Sequence, residues 1–475
     1  MTAAGIMASA QAAPVTQGQR RVARLFHRAG FGATVDEINT WTANGYTAAV
    51  DHLLGFAPAS SSSRAADEAQ VSAVVNAAQA DDAQGHATPD ITAYARWWLD
   101  RMATGPYPLE EKLTLYWHRH FATGYQKVAL FAPMLAQNKL LRDLAAGSFR
   151  DLCKQVTADV AMLIYLDGDR SQVNAINENY GREFMELFTL GRNNGYAQPD
   201  VVAAARSFTG YTVNTTNNTS TFNASLHDQQ PKTLLGQTGN WQPADVTDIV
   251  LDRTAVAGAS ATYLANRMAQ SLHQPSPEST VVSAMSNALV SNGYQVAPMV
   301  RALLLSTEFM DGAPLGVKSP VELVASVIRA LGLSKAPAGT PQTWAPYSSI
   351  TGDELAAYTE RMGQALFMPP NVAGWPGGGS WVNTAFMLNR YDFAVRAAQL
   401  VNSSLVDKAL ALANGSAPKT QDYWMNLLGL LELSADTTTA IQQYTSNAAA
   451  NGDSPDTISR SVLTLLIASP DFNVR

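Results

Sequence analysis

A single cysteine, Cys153, stands in a chain of 475 residues, so neither an internal disulfide nor a cysteine-cluster zinc site can form. Charge is sparse too. Only 15% of residues are Asp, Glu, Lys or Arg against 46% hydrophobic ones, a balance that builds a large core and excludes a disordered polymer. The formal net charge of -7 argues against nucleic acid as the main partner. No run approaches the ~18 apolar residues of a membrane span, so no integral membrane segment is expected. Also missing are a Walker phosphate loop, a Gly-x-Gly-x-x-Gly fingerprint, a Gly-x-Ser-x-Gly elbow and a His-Glu-x-x-His zinc motif. Nucleotide-driven and serine-hydrolase chemistry lose their weight, and no cofactor is implied.

What is there is helical spacing almost everywhere. It predicts helices near 19–29, 34–54, 64–82, 90–104, 108–122, 128–145, 176–190, 199–208, 254–272, 277–306, 318–331, 383–413, 419–433 and 454–468. Starting signals recur, such as the capping box Thr34-Val35-Asp36-Glu37 ahead of Ile38 and Trp41. The expected fold is mainly α, a large multi-helix domain with a small β-hairpin insertion. The hairpin is placed in the Thr- and Asn-rich segment Gly210 to Asp228, with Tyr211, Val213, Thr221 and Phe222 as strand residues. Met368 to Gly379, with adjacent prolines and a glycine run, cannot be helical and must be a shaped loop. Ala59 to Ala66 and Ser334 to Ser349 read as softer linkers. The organisation expected is a tail over 1–18, a main helical domain over 19–333 and a C-terminal helical part over 334–475 packed on the same core. Within the tail, Ala10-Gln11-Ala12 resembles a site where an export signal is cut, although no basic residue precedes Arg20. The segment reads equally as a degenerate signal or an Ala-rich tail.

Three polar clusters carry the chemistry on offer. In Asn177 to Gly191, a helical wheel puts Glu178, Asn179, Arg182, Glu183 and Glu186 on one half, with Tyr180, Phe184, Met185, Leu187 and Phe188 on the other. Glu178 and Arg182, four apart, and Glu183 and Glu186, three apart, can touch. In a cleft such a set would hold one carboxyl ionised and another protonated; on a solvated face it would be ordinary ion pairing. The second cluster ends in Trp117-His118-Arg119-His120. Two residues apart on a helix is about 200°, so the imidazoles cannot chelate one ion, and the wheel expects His120 buried on the apolar stripe and His118 exposed. The third, His227-Asp228 with Lys232 nearby, sets an imidazole, a carboxylate and an amine together after the hairpin. Trp375 and Trp381 flank the Gly run, where flat aromatic faces either stack on sugar rings or plug the core.

Together these segments resemble the domain of unknown function 1800 family, a bacterial group whose members are often exported. The resemblance runs from Arg24-Leu25-Phe26-His27-Arg28-Ala29-Gly30-Phe31-Gly32 through Leu113 to Phe121, Ala161 to Asp167, Asn177 to Gly191, Ala205 to Gly210, His227-Asp228 and Phe367 to Trp381, ending with Ser469-Pro470-Asp471-Phe472. The chain departs from the pattern at Ile176 and Gly181. The resemblance implies no reaction, but its His, Glu, Asp and Arg positions favour one shared site. The reading that follows is a hydrolase or lyase acting on a carbohydrate polymer outside the cytoplasm. Glu178, Glu183, Glu186, Arg182, His120, His227 and Asp228 would form the catalytic set, and Trp375, Trp381, Asn179 and Lys232 the substrate contacts. The alternative is a non-catalytic envelope protein that binds an exported protein partner, its polar clusters serving as structural ion pairs. A metal enzyme assembled from His118, His120, His227, Asp228 and the glutamates ranks third.

Overall fold

A computed structural model describes residues 14–56, 62–83, 91–313, 315–333, 351–413 and 417–474. The chain is mainly α, as its spacing predicts. The first helix begins at Gln17 behind a capping box from Thr16, two residues inside the expected tail. The stretch read as one helix over 34–54 is two, Val35–Asn44 and Tyr46–Leu54, because Gly45 adopts φ 93° between them, a conformation that suits only glycine. Ser62–Ala83 is helical from within the segment expected as a Ser-rich linker; the linker over 334–349 lies outside the described residues. Helices that spacing did not single out include Phe149–Thr157, Val160–Tyr165, Pro243–Asp252, Thr351–Arg361 and Ala435–Ala450, with the short turns Thr307–Asp311 and Pro470–Asn473.

The hairpin forms where expected, from β1 (Tyr211–Asn214) and β2 (Thr219–Phe222), antiparallel with Tyr211 opposite Phe222. A second, smaller hairpin follows, β3 (Lys232–Leu234) and β4 (Gln237–Gly239). Among the described residues no helix is long and apolar enough to cross a membrane.

Among the described residues two apolar clusters make the core. One joins the first three helices to residues 141–309; the other joins residues 71–135 to 321–472. The helix Pro108–His120 runs between them, giving Leu109, Leu113, Tyr116 and Trp117 to the first and Leu115 to the second. A helix packed on all sides needs every charge satisfied. Accordingly Glu111, 1% exposed, accepts hydrogen bonds from Arg101 at 2.5 Å, Arg142 at 2.7 Å and the Trp98 indole at 2.8 Å. Arg101 also holds Asp67 at 2.6 Å, and Lys112 pairs with Glu322 at 2.6 Å. Burial alone would raise the Glu111 carboxyl, but Arg142 and Arg101 outweigh it and hold it at about 2.

This central position overturns one expectation. His118 is as buried as His120, each 1% exposed, because the wheel supposed a solvent side that this helix does not have. The two imidazoles do lie on opposite sides: His118 packs on Trp98, Phe367 and Trp375, and His120 on Tyr116, Trp117 and Phe188.

Candidate functional site

The glutamate segment begins as the α-helix Asn179–Glu183 and widens into a π-helix over Phe184–Thr189. π-Helical turns are rare and leave carbonyls displaced from their usual i→i+4 donors. Here distant groups contribute: the Leu187 carbonyl accepts from the Tyr263 hydroxyl at 2.9 Å, and the Phe188 carbonyl lies 2.9 Å from His120 Nε2. The apolar half of the wheel is inward, with Phe184, Met185 and Phe188 fully buried and Tyr180 nearly so. Gly181 is the point of closest approach, since a Cβ there would stand 2.8 Å from the Ala205 backbone nitrogen.

On the outward half, Arg182 binds Glu178 at 3.0 Å and Glu186 at 3.7 Å, and Arg192 binds Glu186 at 3.1 Å. Gln198 joins the set, accepting from Arg182 at 3.2 Å and donating to Glu178 at 2.9 Å. The pairs are half-exposed. Glu183 stands apart: no hydrogen bond or ion pair holds its carboxyl among the described residues, and partial burial, then the like charge of Glu186, raises its pKa. Asn179 is exposed, its backbone N–H donating to Asn177.

His120 reaches this segment from beneath. Its Nε2 proton goes to the Phe188 carbonyl, and burial, with Arg267 and Arg119 adding positive charge, pushes its pKa well below the ordinary value. It is a neutral ring bracing the π-turn, on the far side of the backbone from the glutamates. The catalytic role expected for it has no geometric support.

The third cluster sits at the other end of the helix Gln198–Ser207. Its Arg206 grips Asp228 with Nε at 2.6 Å, and Asp228 Oδ1 accepts from the Gln230 N–H at 2.9 Å. Against the cost of burial, these bonds hold the carboxylate below its usual pKa. His227 turns away, its Nδ1 3.0 Å from the Thr209 carbonyl, and burial lowers its pKa. The Lys232 amine is buried and donates to the Asp228 carbonyl. His227 and Asp228 therefore pin the loop after β2 rather than form a dyad. Trp375 and Trp381, 1% and 4% exposed, present no open face for stacking. Trp375 packs on His118, the side of the central helix opposite His120 and the glutamate segment, and its carbonyl takes the Arg119 Nε at 2.8 Å. The shared cleft expected of Trp375 and Glu178 does not form.

The residues expected at one site thus fall into an exposed glutamate face, a clasp under the hairpins and a buried aromatic plug. No group of three or more His, Cys, Asp and Glu side chains converges to hold a metal among the described residues. Sequence reasoning passed over Tyr263 and Arg192, the partners that shape and charge the glutamate face. Arg192 had a signal, lying six residues beyond Glu186 just past the helix-stopping Gly191; Tyr263, 76 residues from Leu187, had none.

The family model for DUF1800, described as a protein of unknown function, matches residues 24–474. No curated protein and no solved structure matches the chain.

Proposed function

We propose that this chain, which belongs to the DUF1800 family, is a non-catalytic binding protein that presents the ion-paired face of Glu178, Arg182, Glu186 and Arg192 to a protein partner outside the cytoplasm. The supporting observation is the state of the carboxylates. Two of the three are tied to arginines at the surface, and the cavities lined by His27, Lys112, Glu110 and Arg96 include none of them. General acid/base chemistry needs carboxyls converging on a concave space; a recognition face needs charges of both signs within reach of a partner. Export belongs to this proposal and rests on Ala10-Gln11-Ala12 and the family resemblance. A secreted chain beginning just after Ala12 would support it.

One observation favours a second reading, the carbohydrate hydrolase or lyase. Glu183 has a raised pKa beside an arginine-bound Glu186, the asymmetry that an acid and its partner base require. A polysaccharide panel separates the two, run on wild type, Glu178→Gln and Glu183→Gln with thermal melting alongside. The binding reading expects no turnover by any of the three. Turnover by wild type that disappears in Glu183→Gln at unchanged melting temperature overturns it in favour of the enzyme.

A further inference from the structure

The N-terminal segment Arg24 to Gly32 and the C-terminal segment Ser469 to Phe472, the two ends of the family pattern, meet around a cavity of about 340 Å³. None of its lining residues belongs to the glutamate face. Phe31, Leu428 and Phe472 supply apolar walls, with His27, Arg329 and Ala330 also on the lining. Its size is that of a small-molecule site, and its apolar walls are mixed with polar side chains, Thr34, Glu37, Thr104 and Ser326 joining His27 and Arg329.

Two polar groups define what fits. His27 Nε2 lies 3.3 Å from the Gly429 carbonyl and so carries the ring proton, leaving Nδ1 as a bare acceptor. That atom is buried and has no hydrogen-bond partner among the described residues, a state that costs stability unless something else satisfies it. It faces Gly32, which shares the cavity lining and whose lack of a side chain leaves room beside the imidazole; a Cβ there would stand 3.5 Å from Nδ1. Burial, then the nearby Lys318 charge, keeps the ring neutral, with a pKa near 3. The second group is Arg329, whose contacts are long: 3.7 Å to Glu37 and 3.4 Å to the Ala103 carbonyl. Glu37 gives its other oxygen to the Thr34 capping box at 2.7 Å. A guanidinium so loosely held can close on a ligand carboxylate with two parallel hydrogen bonds.

We propose that this cavity binds a small aromatic hydroxy acid, its ring between Phe31 and Phe472, its hydroxyl donating to His27 Nδ1 and its carboxylate paired with Arg329. The test is calorimetric titration of the full chain with 4-hydroxyphenylacetate, phenylacetate, which lacks the donor, and tyramine, which replaces the anion with a cation. Saturable one-site binding of 4-hydroxyphenylacetate is expected, weakened about 10-fold on loss of the hydroxyl, the worth of one hydrogen bond, and absent for tyramine. Arg329→Gln should weaken binding at least as much, and Ala330→Phe, which fills a half-buried lining position, should abolish it with folding intact by circular dichroism. No saturable heat with any of the three compounds, equal affinity for phenylacetate, or unchanged binding in Ala330→Phe overturns the proposal.

Discussion

Glu111 and Glu186 each sit between two arginines, yet the two places differ in every physical respect. Glu111 is sealed in the core, both flanking guanidiniums nearly as buried, with distances of 2.5 and 2.7 Å and a third bond from an indole. Glu186 keeps 18% of its side chain exposed, its partners are 38% and 76% exposed, and the pairs stretch to 3.7 and 3.1 Å. Buried, a pair is an obligation: removing one member strands the other charge in a low dielectric. At the surface, water and salt substitute for either partner, and the pair stays available for exchange with another molecule.

The largest effect follows from breaking the buried side. Glu111→Ala should cost about 3–5 kcal/mol, the usual penalty for stranding a buried charge, read as a lowered urea midpoint. The same carboxyl predicts an acid limb. Its folded pKa is depressed to about 2 from the ordinary 4.5, so its contribution is complete above the unfolded value and is lost as pH falls from about 4.5 toward 2. Wild type should lose stability across that window, and the Glu111→Ala protein should show a shallower loss. An equal slope in both would mean that Glu111 is not the group that titrates.

A middle-sized effect tests whether the exposed face owes its shape to the core beneath it. His120→Phe keeps the aromatic packing but leaves the Phe188 carbonyl without its donor, a loss of roughly 1–3 kcal/mol for an unsatisfied buried acceptor. Amide exchange should accelerate over Phe184 to Leu190 before the rest of the molecule opens. If exchange there is unchanged, the π-turn is a property of its own sequence and His120 only fills space.

These particulars show what was legible in one dimension. The capping box at Thr34 and the Tyr211–Phe222 hairpin are local, and both formed where the residues place them. The inward half of the glutamate wheel was legible for the same reason. His118 was not, because burial on both sides of the central helix depends on two clusters assembled from distant parts of the chain. Glu110 and Glu111 look like acids placed to suit a helix N-terminus behind Pro108; the partners that bury Glu111 lie 10 and 31 residues away. The helices Phe149–Thr157 and Val160–Tyr165 had readable caps in Ser148 and Asp159, but are too short for periodicity to declare itself. Trp375 failed differently, since nothing in a Pro-Gly run tells whether its indole lines a cleft or seals one.

The smallest effect divides the exposed face against itself. Glu178 accepts from Arg182 and Gln198, so Glu178→Gln should lower stability by no more than about 1 kcal/mol, the range for exposed ion pairs, and less in high salt. Glu183 has no such partner among the described residues, and partial burial and Glu186 oppose its charge. A carboxyl whose folded pKa is raised above its unfolded value penalises the fold once it ionises, so stability is lost as pH rises through the folded pKa. Glu183→Gln removes that penalty and should leave the melting temperature at pH 7 equal to or slightly above wild type. Well below the unfolded pKa, where the carboxyl is protonated in both states, the advantage should vanish. Matched melting curves of both variants at the two pH values decide it: losses of equal sign and size at pH 7 would mean that Glu183 is bonded like Glu178, and the asymmetry on which the acid/base reading rests would go with it.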